Sequence, residues 1–209
     1  MAKAQIITIS GKPGSGKSST ADRVAEMLGF TRHSSGDFVR KFVKEKGMTL
    51  KEYNDHAMDN HSLDERVDEM LRELRDHSEI IIDSRLGFYW IPESFKVYLD
   101  LDMQVAAARI FKDAVSNIGR SKSGLAGSIG EVNNQVKQRM QNERLRFRRR
   151  YGVDPYNSEH FDLIVDTSRH SPETVALTVF DNYKKWLESE NWSQVRSSVP
   201  MGYSFKNQY

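Results

Sequence analysis

The chain has 209 residues, no cysteine, 38% apolar and 29% charged residues, and a formal net charge of +2. That length supports one well-buried core, and the missing cysteines exclude disulfides and thiolate metal sites. No apolar run approaches the ~18 residues of a membrane span, and Met1-Ala2-Lys3-Ala4-Gln5 leads into an apolar strand without a signal-peptide core, so a cytoplasmic protein with no membrane partner is expected.

The first element is a β-branched run at 5–9, continuous as in a strand buried on both faces. Gly11-Lys12-Pro13-Gly14-Ser15-Gly16-Lys17-Ser18 follows, then a helical pattern over about 17–28 with Ala21, Val24, Ala25 and Leu28 on one face and Gly29 as its stop. Strand, glycine-rich turn and helix are the context of the phosphate-binding loop G-x-x-x-x-G-K-[ST]. Gly11, Gly14 and Gly16 let backbone N–H groups point into one concave nest at the positive end of a helix. Lys17 suits the β- and γ-phosphates, and the Ser18 hydroxyl suits Mg²⁺, with Ser19 beside it. A nucleoside triphosphate is the ligand this loop implies.

An extended piece at 30–33 leads into Ser34-Ser35-Gly36-Asp37 and a helix carrying Phe38, Phe42 and Val43. Thr49-Leu50-Lys51-Glu52 and Ser62-Leu63-Asp64-Glu65 fit capping boxes of two more helices, the second buried through Val67, Leu71 and Leu74. Strands are predicted at 80–82 and 96–101, and a helix over about 103–118 on Val105, Ala106, Arg109 and Ile110. Gly119-Arg120-Ser121-Lys122-Ser123-Gly124 reads as a mobile loop before a long helix at about 131–151. A strand at 163–165 precedes a last helix opened by Ser171-Pro172-Glu173, an N-cap, a proline at the first position and an early acid. Strands alternating with helices imply an α/β fold of three layers, a parallel sheet with helices on both faces and ligands at the carboxyl ends of the strands.

Two further motifs fall at such ends. Ser35-Gly36-Asp37-Phe38-Val39-Arg40 follows the extended piece, and Asp83-Ser84-Arg85-Leu86-Gly87 follows the strand at 80–82. Two arginines converging on the crevice suit a second phosphate, which guanidinium groups bind in bidentate fashion; the ordinary alternative is that Arg40 and Arg85 pair with Asp37 or Asp83. Charge is also concentrated locally: residues 109–150 hold 11 Lys and Arg against 3 Asp and Glu, while the flanking segments are slightly acidic. On a helical wheel Arg139, Glu143, Arg146 and Arg150 share one stripe, beside an apolar stripe of Val136, Met140 and Phe147. Like charges four residues apart repel, so an anion is expected there, and Glu143 would hold two of the arginines in position. A solvated face is the ordinary reading. Nucleic acid is the disfavoured partner, since the rest of the chain is acidic and aromatic residues near Arg144–Arg150 are few.

Together these residues resemble the nucleoside monophosphate kinases, most closely the short cytidylate kinases of the archaeal type. The likeness runs from about residue 6 to 173: the loop, Ser34-Ser35-Gly36-Asp37-x-x-Arg40, Lys46-Gly47-Met48, Asp83-x-Arg85-Leu86, Arg139-x-x-x-Glu143-x-x-Arg146, Tyr151-Gly152-Val153-Asp154, and the run Phe161 to Ser168. The resemblance implies a phosphate-loop NTPase-type fold at 1–190 with an acceptor-binding helical insert at about 34–78, a mobile lid at about 116–150, and an extension at 191–209. It implies transfer from ATP to CMP or dCMP, giving ADP and (d)CDP, with Mg²⁺, by in-line positioning and charge stabilisation under a closing lid. It also implies roles. Ser35, Asp37 and Arg40 meet the acceptor monophosphate, Arg85 clamps its α-phosphate, Arg139 and Arg146 close over the donor phosphates oriented by Glu143, and Arg109 lies near the donor base.

The family pattern has Glu-Gly-Arg where this chain has Asp83-Ser84-Arg85, so Asp83 either orders Mg²⁺ through water or pairs with Lys17 or Arg85. The extension, with Trp192, Tyr203, Phe205 and Tyr209, packs on the body, forms an oligomer contact, or stays disordered; a monomer is expected. An adenylate-kinase-like acceptor is the rival within the class, although the strand after Ile82 lacks a Gly-Phe-Pro-Arg continuation. A GTPase-like switch would need a guanine-reading Asn/Thr-Lys-x-Asp box, which the chain lacks.

Overall fold

The computed structural model describes residues 3–48, 52, 62–116 and 128–198. The strands are β1 (Ile6–Gly11), β2 (Thr31–Ser34), β3 (Ile80–Asp83), β4 (Phe95–Asp100), β5 (Leu163–Asp166) and β6 (Val195–Ser198). They form one sheet in the order β2-β3-β1-β4-β5-β6, and all its pairings are parallel. The helices are α1 (Lys17–Leu28), α2 (Ser35–Glu45), α3 (Ser62–Glu73), the one-turn α4 (Gly87–Trp90), α5 (Met103–Ser116), α6 (Ile129–Tyr151) and α7 (Pro172–Glu188).

The central strands are buried at every position of β1 and β3, yet their side chains still alternate between two layers. Ile7, Ile9, Ile81, Val97, Leu99, Leu163 and Val165 pack with Val24 of α1 and Val175, Val179 and Tyr183 of α7. On the opposite face, Tyr98 and Ile164 meet Ala107 of α5 and Val136, Met140 and Phe147 of α6, while Ile6, Ile80 and Ile82 meet Leu71. Strands β1 and β3 therefore have no solvent face, which is why their sequences read as apolar runs.

Local chemistry sets the element ends. Gly29 caps α1 in the left-handed conformation at φ 70°, as its position predicts. Ser34 caps α2 by accepting from the Asp37 N–H, and Ser171 caps α7 by accepting from the Thr174 N–H. The long helix starts at Ile129, earlier than the pattern suggested, because Ser128 and Glu131 form a reciprocal capping box. The turn α4 and strand β6 were not foreseen. The predicted helix at Thr49-Leu50-Lys51-Glu52 and the loop at 119–124 lie outside the described residues, except Glu52. So do Tyr203, Phe205 and Tyr209.

Of the fates left open for the extension, its first residues pack on the body. Val195–Ser198 pairs with Leu163–Asp166, and the Trp192 indole donates from Nε1 to the Asp162 carbonyl at 3.1 Å and meets the Phe95 ring edge-on at 6.0 Å. Trp192→Ala removes that aromatic cover from the core under β4. It is expected to destabilise the fold by about 2–3 kcal/mol, read as a lower urea midpoint with an unchanged slope. A midpoint equal to wild type would mean that β6 is an ornament on the sheet.

Candidate functional site

The sheet delivers its polar residues to one edge. Gly11 ends β1, Ser34 ends β2 and Asp83 ends β3, so the turns after these strands face a common crevice. Gly11 is at φ 150°, and a Cβ there would collide with the Leu99 backbone of the neighbouring strand. Gly14 and Gly16 are left-handed at φ 76° and 81°, which curls residues 12–16 over the start of α1. Lys12 anchors the curl, with its N–H on the Leu99 carbonyl and its ammonium 2.6 Å from Asp100. Pro13 is buried behind it. The buried Ser15 hydroxyl has no hydrogen-bond partner among the described residues, and Ser19 is exposed on the first turn of α1. An orphaned hydroxyl at a left-handed turn leading into a helix N-terminus is what a polyphosphate would satisfy.

Lys17 points back into this curl, its Nζ donating to the carbonyls of Gly11 at 3.3 Å and Lys12 at 3.1 Å. Burial, with the Arg85 guanidinium nearby, lowers its pKa to about 7. It is a half-buried amine held by two carbonyls. Ser18 donates to Asp83 Oδ2 at 2.7 Å, and the same oxygen lies 3.2 Å from Arg32. Of the alternatives for Asp83, direct pairing with Lys17 or Arg85 is not the arrangement found. A hydroxyl and a carboxylate side by side are hard oxygen donors that fit Mg²⁺.

Arg85, in the turn after β3, spans the crevice. Its Nε donates to Glu143 Oε2 at 2.8 Å and its terminal nitrogen donates to the Gly11 carbonyl. Glu143, on α6, also accepts from Arg139 Nε at 2.9 Å through its other oxygen. Burial would raise the Glu143 pKa, but Arg85 and Arg139 hold it well below the usual carboxylate range. The same carboxylate outweighs the burial of Arg85 and keeps that guanidinium charged.

The arginine stripe is thus resolved differently from the expectation. Glu143 holds Arg139 and Arg85, not Arg146; Arg146 turns to Asp64 of α3 at 3.7 Å, and Arg150 to Glu65 at 3.3 Å. A stripe three turns long cannot share one carboxylate, and α3 supplies acids to its far end. Nor is the stripe a wholly solvated face: Glu143 is buried and the Arg146 and Arg150 side chains are partly buried, while Arg139 is more than half exposed. Between α2, α3 and α6 a cavity of about 210 Å³ is lined by Ser35, Arg40, Asp68, Arg85, Arg139 and Tyr151 among others. Ser35 donates to the Asp83 carbonyl at 3.4 Å; Arg40, exposed at the rim, pairs with Asp37 as the ordinary reading had it. Arg109 stands apart: its guanidinium donates to the Thr167 carbonyl at 2.7 Å and ties α5 to the loop after β5.

Four neighbours were missed. Arg32 bridges Asp22, Asp37 and Asp83, Asp68 accepts from Trp90 and Tyr151, Asp64 faces Arg146, and Tyr156 donates its hydroxyl to Glu143 Oε2. Asp64 and Asp68 carried a signal, acids spaced four apart beside an apolar helix stripe. Tyr156 carried none beyond lying just past the Tyr151-Gly152-Val153-Asp154 motif.

The chain as a whole has relatives among known proteins. The Cytidylate kinase-like family matches residues 6–169. A cytidylate kinase of Ignicoccus hospitalis is 33% identical over 177 residues, 83% of this chain and 96% of that protein. One of Methanopyrus kandleri is 30% identical over 205 residues, covering 93% and 92%. An S-adenosylmethionine-dependent nucleotide dehydratase of Lacinutrix mariniflava is 34% identical over 183 residues, but the match spans 86% of this chain and only 36% of that longer protein. Among solved structures, a shikimate kinase from Bacteroides thetaiotaomicron superposes with a TM-score of 0.59 over 88% of this chain at 13% identity, a likeness of fold alone. The chain belongs to the cytidylate kinase-like family, within the phosphate-loop kinase fold.

Proposed function

We propose that this protein is a nucleotide kinase that moves the γ-phosphoryl group of ATP onto CMP or dCMP, giving ADP and CDP or dCDP. The observation that carries the reading is the cationic cluster of Lys17, Arg85 and Arg139 around one buried carboxylate, set between a phosphate-binding loop and a second cavity. Two anion sites that share an arginine suit transfer between two phosphates better than binding of one nucleotide. The cytidine base is supported by the two archaeal relatives named cytidylate kinase. Residues 1–190 acting as one kinase domain, with the α6 region as its lid, belong to the same proposal.

The roles follow from charge and position. The residue 12–16 curl and Lys17 bind the donor polyphosphate, and Lys17 regains its proton fully once phosphate oxygens surround it. Ser35 and Arg40 receive the acceptor phosphate at the rim, and Arg85 reaches it from the floor. Phosphoryl transfer spreads negative charge over the equatorial oxygens of the moving group, and Arg85 and Arg139 oppose that charge from fixed positions. Glu143 keeps both guanidinium groups aimed. Ser18 and Asp83 would hold Mg²⁺, which when bound neutralises polyphosphate charge. The attacking atom is a phosphate oxygen of the monophosphate, already anionic near neutral pH, and ADP is the leaving group, so no general base is required of the chain.

The deciding experiment is a coupled ADP-release assay with Mg-ATP against CMP, dCMP, UMP, AMP and GMP at equal concentration. Turnover led by CMP or dCMP is expected; turnover led by AMP or UMP would keep the chemistry and replace the base. Lys17→Ala should lower kcat about 1,000-fold or more with the far-ultraviolet circular dichroism unchanged, and a near-normal kcat would remove Lys17 from the chemistry. Arg85→Lys keeps the charge but loses the fork. It should lower kcat/KM for the acceptor about 100-fold while the ATP KM moves less than about threefold. Equal loss toward both nucleotides would mean that Arg85 serves the fold.

A further inference from the structure

The buried phenol of Tyr156 has no place in the roles above, yet it touches the group on which two of them depend. Helix α6 ends at Gly152, left-handed at φ 70°, and the chain turns back along the helix. Asp154 pins that return: one oxygen accepts from the Tyr156 N–H at 3.0 Å, and the other accepts from Arg148 at 2.9 Å and lies 3.4 Å from Arg144. The return carries Tyr156 to Glu143, thirteen residues earlier, where its hydroxyl donates to the Oε2 that also receives Arg85 Nε. The ring beneath is 8% exposed, seated with Tyr98 and Phe161, and the Arg85 guanidinium lies over it at 5.4 Å.

We propose that Tyr156 is a positioning residue for phosphoryl transfer, acting through Glu143 to fix the directions of Arg85 and Arg139. The inference rests on the kinase reading above. A carboxylate holding two arginines through Nε alone could swing about its Cγ–Cδ bond, and each guanidinium would swing with it. A third donor from a ring locked in the core removes that freedom, since a tyrosine hydroxyl sits at the end of only two rotatable bonds. The geometry also separates the two contributions. The ring offers Arg85 a cation–π contact, and the hydroxyl alone orients the carboxylate. Such arrangement matters because donors that stabilise a transition state act best when no reorganisation is left to do.

Tyr156→Phe keeps the ring and deletes the hydroxyl. It is expected to lower kcat about tenfold while the KM for ATP changes less than about twofold, since a hydrogen bond to a buried charge is lost but the donor curl is untouched. Glu143→Gln, which keeps the shape and removes the charge, should cost more. In the double variant, Tyr156→Phe should cost nothing further, because its effect passes through a carboxylate no longer there. The four proteins are compared at 25 °C, with melting followed on the same samples. A lowered melting transition with wild-type kcat in Tyr156→Phe would overturn the inference, as would losses that multiply in the double variant, because a residue serving only the fold gives either result. Wild-type protein silent toward every monophosphate would overturn the kinase reading itself, a result distinct from an active wild type that Tyr156→Phe matches.

Discussion

Three cations, Lys17, Arg85 and Arg139, are gathered where the sheet, the phosphate loop and α6 meet, and the Glu143 carboxylate makes that gathering tolerable. Two unit charges about 4 Å apart at an effective dielectric near 20 interact by about 4 kcal/mol, comparable with a large share of a domain's net stability. Without a buried anion the crowding would push the arginines out toward water. Glu143 answers with one oxygen for Arg139 and the other for Arg85, and the field of those arginines in turn keeps it ionised despite its burial. The charge is balanced only in part. Lys17 is left on two carbonyls with a depressed pKa, so a polyphosphate oxygen beside it would supply the counter-charge it lacks.

The fold serves this arrangement by bringing distant segments to one edge. A parallel sheet puts the carboxyl ends of β1, β2 and β3 together, so Gly11, Ser34 and Asp83 become neighbours although they are spread over more than seventy residues. Glu143 comes from a helix on the opposite layer, held by Val136, Met140 and Phe147 against Tyr98 and Ile164. Packing of that apolar stripe fixes the rotation of α6, and the rotation decides which of its charged residues turn inward. Arg139 and Glu143 then face the loop, while Arg146 and Arg150 meet the acids of α3.

What the sequence makes legible divides along the same line. The phosphate loop, the cap at Gly29 and the start of α7 are decided within a few residues, so a local pattern suffices for them. The central strands β1 and β3 were legible because burial on both faces leaves an unbroken apolar run. Strand β6 was not: Val195-Arg196-Ser197-Ser198 has no such run, and it is a strand because β5 offers an open edge and Trp192 anchors the approach. The wheel of α6 correctly put Glu143 among arginines, yet a wheel names neighbours on one helix only. Whether Glu143 would choose Arg146 or Arg85 depended on the turn after β3, 58 residues away in the chain.

The ion pairs of the site are unequal in what they can hold. Arg40 and Asp37 are each more than half exposed, and such pairs contribute about 0–1 kcal/mol because water and salt compete for both partners. Such a pair can be opened to an incoming anion at little cost. Arg85 and Glu143 are 16% and 9% exposed, and breaking that pair would strand a charge in a poor solvent. The rim can therefore yield to a ligand while the floor keeps its shape. That difference in burial, rather than the number of arginines, separates groups suited to capture a nucleotide from groups suited to stabilise charge in transfer.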